Sequence, residues 1–214
     1  MYKNFIWDFD GTLVDTDECI MKCYINILEQ YNIKEDKNKI LNLIKEGSKL
    51  KAVEYLISKY KAFTKEDFFE KYDKIDKMRE IYDDAKPMKY AIEICDYIKK
   101  RGYKNIVITN RGENTVDILK KLDMDKYFDF IMFYGKDNVF VRKPESGMFD
   151  YVIEKFNLNI KETLSIGDRT IDYIASKKNN LPVCLFNAIY DKENVHPEFD
   201  IKSLRDIKNI IEEV

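Results

Sequence analysis

A single histidine, His196, stands in 214 residues, and that scarcity removes whole classes of chemistry. Histidine-based zinc-protease motifs cannot be built. A Ser-His-Asp triad would depend on this one ring, which lies in a His-Pro-Glu stretch that reads as a surface loop. Four cysteines (Cys19, Cys23, Cys95, Cys184) are too few and too scattered for a disulfide framework, and they form no Cys-x-x-Cys pair. Cys19 and Cys23 lie one helical turn apart, which points to a shared packed face. Seven glycines supply neither a Walker A loop nor Gly-x-Gly-x-x-Gly, which argues against ATP or dinucleotide use through those motifs. No apolar run approaches the roughly 18 residues that cross a bilayer, and the opening residues lack a signal-peptide stretch before acids appear. The expectation is a cytoplasmic protein with no membrane partner. With 37 basic and 39 acidic side chains, a net charge of −2, no whole-molecule field favours nucleic acid.

What is present is a globular composition, 45% hydrophobic and 36% charged, in a chain long enough for one large domain or a main domain with an insertion. Short apolar stretches bounded by turn residues predict buried strands at Asn4–Phe9, Asn105–Thr109, Phe128–Phe133, Thr163–Ile166 and Pro182–Phe186. Helical spacing fills the intervals at Met88–Arg101, Glu113–Leu122, Glu145–Phe156 and Thr170–Asn179. This alternation predicts an α/β fold, a Rossmann-like parallel sheet with helices on both faces. The interval between Thr16 and Ala85 breaks the alternation. Helical patterns at Glu18–Tyr31, Asp36–Glu46, Lys49–Tyr60 and Lys65–Tyr82, with no convincing strand, predict an all-helical domain of residues 16–85 inserted into a core of residues 1–15 and 86–214. Its aromatic residues (Phe63, Phe68, Phe69, Tyr72, Tyr82) are interleaved with acids and read as packing, not as a base-stacking platform.

The chemistry-bearing residues gather at strand ends. Trp7-Asp8-Phe9-Asp10-Gly11-Thr12 puts two carboxylates after an apolar strand, sharing one face if the chain stays extended. Two acids there repel unless a cation or a shared proton compensates them. A plain Asp-Gly turn is the competing reading. A calcium loop is excluded because Gly11 comes too early and Cys19 stands where the closing glutamate belongs. Gly167-Asp168-Arg169-Thr170-Ile171-Asp172 follows another strand, where helix capping is the alternative. Thr109-Asn110 ends a third, again with capping as the plainer account. Lys143, before Pro144, would ordinarily be a solvated lysine.

In order and spacing these four segments resemble the four motifs of the haloacid-dehalogenase-like hydrolase superfamily, in its phosphatase branch, with the helical block in the place of the family's cap. The resemblance implies a magnesium-dependent phosphatase of small phosphate monoesters working through an aspartyl-phosphate intermediate. Asp8 would be the nucleophile and Asp10 the general acid and base. Mg2+ would lie between Asp8, Asp168 and the backbone carbonyl of Asp10, with Asp172 supporting from behind. Lys143, Thr109 and Asn110 would bind the phosphoryl group. Asp10 favours an oxygen leaving group over a halide, because a departing halide needs no proton. By the same resemblance, Ser48 and Lys49, in the interruption Glu46-Gly47-Ser48-Lys49, are candidates for reading the leaving group. Arg111 is a departure from the usual pattern that would contact a substrate anion or pair with a surface acid. The expected partner is a small phosphorylated metabolite. A phosphosugar mutase resembling β-phosphoglucomutase and a non-catalytic phosphate-binding regulator are the alternatives, and oligomeric state is not readable.

Overall fold

The computed structural model describes residues 1–139 and 141–213. They divide into two compact units, residues 1–15 with 86–214 and residues 16–85.

The first unit is built on a parallel six-stranded sheet in the order β5-β4-β1-β6-β7-β8. The strands are β1 (Asn4–Trp7), β4 (Lys104–Thr109), β5 (Phe130–Phe133), β6 (Thr163–Gly167), β7 (Val183–Phe186) and β8 (Phe199–Ile201). Every residue of β1 and β6 is buried, as expected for central strands covered on both faces. Helices α5 (Ala91–Lys100), α6 (Asn114–Lys121), α7 (Gly147–Phe156), α8 (Thr170–Lys177) and α9 (Asp206–Glu213) complete the unit. Ile6, Ile106 and Ile108 pack with Met148, Phe149 and Val152 of α7 and Ala175 of α8. Alternation sends Trp7 to the opposite face, where its indole N–H donates to Asn105 Oδ1 (2.9 Å) and the Asn105 amide donates to the Cys95 carbonyl of α5 (2.9 Å). Because β1 has β4 on one side and β6 on the other, the strand order reverses at β1. In open α/β sheets that reversal opens a crevice beyond the carboxyl ends of the strands.

Two short strands, β2 (Val14–Asp15) and β3 (Lys86–Pro87), pair antiparallel where the chain leaves and re-enters this unit. Neither is predicted by the sequence reading. Their pairing also shortens the helix expected from Met88: the Met88 N–H donates to the Leu13 carbonyl (2.9 Å), Tyr90 takes φ 72°, and α5 begins only at Ala91. The first strand likewise stops at Trp7 instead of Phe9, since the Phe9 carbonyl accepts from both Leu13 N–H (3.1 Å) and Val14 N–H (3.0 Å) in a turn. β7 starts after Pro182, which has no N–H to give and contributes its carbonyl to Ser165 N–H (3.0 Å).

The second unit holds α1 (Asp17–Gln30), α2 (Lys37–Glu46), α3 (Lys49–Tyr60) and α4 (Lys65–Ile75), then a 3-10 turn over Arg79–Asp84. Asp36, Ser48 and Thr64 cap α2, α3 and α4 by accepting backbone N–H bonds. Phe68 packs against Tyr24 (ring centroids 4.9 Å apart) and Phe63 (5.4 Å), and Tyr72 against Tyr24 (5.9 Å), so these rings are core. The predicted helix to Tyr82 ends early because Met78 turns to extended backbone and the Tyr82 hydroxyl donates to the Asp76 carbonyl. All four cysteines are buried and none forms a disulfide. His196 is exposed.

Candidate active site

Three neighbouring strand ends meet at the crevice of the first unit. Asp8 follows β1, Thr109 closes β4, and Asp168 follows β6. The Asp8 N–H donates to the Ile166 carbonyl (2.8 Å), which holds this aspartate beside the end of β6. The chain then turns at Gly11 (φ 83°), whose N–H donates to the Val14 carbonyl (2.9 Å). A side chain at position 11 would meet both that positive φ and the carboxylate of Asp168, so glycine serves the turn and the close approach together. Gly167 meets the second need only: a Cβ there would overlap the Asp172 side chain.

Lys143 lies within this cluster and is buried. Its ammonium donates to Asp8 Oδ1 (2.5 Å), Asp172 Oδ1 (2.6 Å) and the Ile108 carbonyl (3.0 Å), which gives each of its hydrogens an acceptor. Burial works against the charge, but Asp172 and Asp8 outweigh it and raise the Lys143 pKa above the ordinary lysine value. Asp172 Oδ2 accepts from Arg169 N–H (3.1 Å), so both Asp172 oxygens are engaged, one by Lys143 and one by the start of α8. Asp172 therefore stands behind the lysine.

Asp8, Asp168 and Asp172 can each offer a carboxylate oxygen to one point, since these atoms lie within 4.8 Å of one another. Asp8 Oδ2 is buried and has no hydrogen-bond partner among the described residues. A buried carboxylate oxygen left unsatisfied is costly, and a hard cation is the partner that oxygen donors suit best. Burial, with Asp172 adding to it, raises the Asp8 pKa against the pull of Lys143 and Arg169. Burial also lifts Asp168 well above the usual carboxylate range; Arg169 opposes this, while Asp8 and Asp172 add to it. The donor set thus fits a divalent cation, with the open valence on Asp8 and Asp168.

Asp10 does not join that cluster as a second carboxylate on a shared strand face, because the strand has already ended. It pairs with Arg111, whose side chain is 1% exposed, through Nη2 to Oδ1 (2.8 Å) and Nε to both oxygens (3.1 and 3.2 Å). Asp10, a site acid, is thus a partner of Arg111. Asn110 has a structural task besides the one expected of it: its amide donates to the Lys143 carbonyl (2.9 Å), and its Oδ1 accepts from Lys143 N–H (2.7 Å), clamping the lysine's backbone. Thr109 Oγ1 accepts from Arg111 N–H (3.1 Å). Ser48 and Lys49 belong to the helical unit, where Ser48 caps α3 and the Lys49 ammonium lies 4.7 Å from the Tyr72 ring centroid. Two site residues escape the sequence reading. Arg169 places Nε 3.7 Å from Asp168 Oδ1, and the Thr12 hydroxyl donates to the same oxygen at 3.5 Å. A cation between two acids in Asp168-Arg169-Thr170-Ile171-Asp172 was the available signal for the first. For Thr12 the only clue was its place in the turn.

Comparison with known proteins gives consistent findings. The family model described as haloacid dehalogenase-like hydrolase matches residues 5–186. The chain is similar to pyrophosphatase PpaX of Bacillus mycoides, 28% identical over 181 residues that cover 80% of this chain and 77% of that protein. Among solved structures, a haloacid dehalogenase-like family hydrolase from Streptococcus pneumoniae superposes with a TM-score of 0.82 at 16% identity, covering 98% of each chain. A haloacid dehalogenase-superfamily hydrolase of subfamily IA from Geobacter sulfurreducens gives 0.77 at 21% identity, covering 98% of this chain and 100% of that one. At these identities the superpositions show a shared fold.

Proposed function

For a chain that belongs to the haloacid dehalogenase-like hydrolase family, and is a hydrolase, we propose a magnesium-dependent phosphatase of small phosphorylated compounds that works through an aspartyl-phosphate on Asp8. The observation that carries this reading is the unpartnered, buried Oδ2 of Asp8 in a cluster with Lys143 and Asp168. Lys143 holds the Asp8 carboxylate through Oδ1, and one oxygen of that carboxylate attacks phosphorus while the other would face the cation. As the bond to the leaving oxygen breaks, Asp10 delivers a proton to that oxygen; it then removes a proton from the water that hydrolyses the acyl phosphate. Lys143 balances negative charge beside the nucleophile, and Thr109 and Asn110 line the same strand end to bind phosphate oxygens. Asp8, Asp168 and the Asp10 backbone carbonyl would hold Mg2+, with Asp172 fixing Lys143 behind them. Bound there, the ion would offset charge on the phosphoryl oxygens. Ser48, Lys49 and the rest of the helical unit would then select the leaving group.

Similarity to a protein named as a pyrophosphatase puts inorganic pyrophosphate first among substrates to try, ahead of phosphorylated two- and three-carbon acids and sugars. The test is phosphate release from this panel with and without magnesium, for the wild type and Asp8→Asn. Magnesium-dependent release that vanishes in the variant supports the reading. Release by the variant at the wild-type rate overturns it. Conversion of a sugar 1-phosphate to its 6-phosphate without phosphate release would mark the mutase outcome.

A further inference from the structure

We propose that Arg111 is a positioning residue that sets the carboxyl group of Asp10 for proton transfer, and that it acts on the reaction only through Asp10. The inference rests on the role given to Asp10 above.

An aspartate side chain turns about two bonds, so a carboxyl that must meet a leaving oxygen needs something to stop it turning. Arg111 does this with a planar fork: Nη2 and Nε both reach Oδ1 (2.8 and 3.1 Å), and Nε also reaches Oδ2 (3.2 Å). Fork-like pairing of this kind fixes orientation as well as charge, which a lysine ammonium cannot do. The fork is itself held. The Arg111 N–H donates to Thr109 Oγ1 (3.1 Å), its carbonyl accepts from Tyr134 N–H (2.9 Å), and the guanidinium carbon lies 5.9 Å from the Phe9 ring centroid. The Arg111 side chain is 1% exposed and that of Asp10 15%, so the anchored end of the pair is the arginine, while Asp10 is the end that keeps access to solvent. Arg111 also follows directly on Thr109-Asn110, so the strand end proposed to grip the phosphoryl group carries the residue that aims the proton carrier. Misplacing a reacting group by about 1 Å can cost on the order of 100-fold in rate.

The experiment uses two aryl phosphates with magnesium: p-nitrophenyl phosphate, whose phenolate departs without a proton, and phenyl phosphate, whose more basic phenolate needs one. Wild type, Arg111→Lys, Arg111→Gln, Asp10→Asn and the double variant Asp10→Asn/Arg111→Lys are compared by kcat, KM and thermal unfolding. We expect both Arg111 variants to lose roughly 10- to 100-fold in kcat on phenyl phosphate, far less on p-nitrophenyl phosphate, with KM within about twofold. In the Asp10→Asn background the arginine change should cost nothing further, because groups acting as a unit are not additive. Equal losses on both substrates, additive losses in the double variant, or unfolding of both single arginine variants below the assay temperature would each assign Arg111 to the framework and overturn the inference. If Asp10→Asn alone turned over phenyl phosphate at the wild-type rate, the acid and base role itself would fall. An impaired Asp10→Asn beside normal Arg111 variants sinks only the present inference.

Discussion

Each unit of this protein sequesters carboxylates, and it treats them in opposite ways. In the helical unit, Glu35 has a side chain only 8% exposed, yet its pKa is lowered to about 2. Lys59 donates to Glu35 Oε2 (2.7 Å), as do Tyr55 (3.0 Å) and Tyr60 (3.1 Å), while Asp36 N–H donates to Oε1 (3.0 Å). Every partner favours the ionised form, and the result ties the segment before α2 to α3. In the sheet unit, Asp8 and Asp168 are shifted up, because burial and neighbouring acids outweigh the cations near them. The difference is one of completeness. A charge whose partners are all supplied by the chain serves stability, whereas a charge left short is a place for something from outside the chain.

The sharpest way to break that contrast is at Asp8. Asp8→Asn should lower phosphate release by about 10⁴-fold or more, the scale seen when a covalent nucleophile is removed. A steady-state phosphate assay checks it; a residual rate within tenfold of wild type would mean that the incomplete cluster is not the reaction centre. Next in size is Lys143→Met, which strips Asp8 and Asp172 of their shared counter-ion. Breaking a buried pair from one side costs about 3–5 kcal/mol. The unfolding midpoint should fall by roughly 6–20 °C at pH 7. The deficit should shrink in acid, where protonation relieves Asp8, whose pKa burial raises. A deficit that stays constant with pH would show that the lysine serves packing, not charge.

The sheet was legible because β1 and β6 are short stretches carrying apolar residues and followed by acids, and the motif residues sit where such stretches stop. The two-residue strands β2 and β3 were not, since Val14-Asp15 and Lys86-Pro87 have no pattern at all and pair only because the chain crosses there twice. β8 and α9 were passed over for a related reason. Phe199-Asp200-Ile201 is too short to signal a strand, although Leu204, Ile207, Ile210 and Ile211 do carry helical spacing. Within the site, Asp8, Lys143, Asp168 and Asp172 are found together, three of them joined by two ion pairs. The partner of Asp10 was the part that could not be read. Positions 10 and 111 lie on different strand ends, and only the register of β1 against β4 brings them within reach.

In the helical unit the corresponding test is milder. Glu35→Gln keeps the shape and removes the charge, so stability at pH 7 should drop by about 1.5–3 kcal/mol, the range for hydrogen bonds to a charged group. The folded pKa is depressed, so the wild-type advantage exists above the ordinary glutamate range and disappears as pH falls toward about 2. Urea denaturation at pH 7 and at pH 3 measures both arms. An advantage that grew in acid would reverse the assignment of Glu35 as a satisfied charge.

The smallest effect is also the one that separates the two kinds of carboxylate most directly. Asp168 has a raised pKa in the folded protein, so its contribution to stability is fully present in acid and is lost as pH rises through that value. Without a divalent cation the folded state therefore disfavours the ionised form of Asp168. Asp168→Asn removes that burden while keeping the size of the side chain. The expected outcome is a gain of about 1 kcal/mol, or roughly 2–4 °C in the unfolding midpoint, in protein treated with a chelator. Added magnesium should reverse the order. The wild type gains stability by binding the ion to its native state, and the variant, short of one oxygen ligand of the right charge, gains little. A thermal shift experiment with and without magnesium reads all four values. If the variant were less stable than the wild type under both conditions, Asp168 would belong with Glu35 as a charge already satisfied by the chain. The incomplete cluster would then reduce to Asp8 and Lys143.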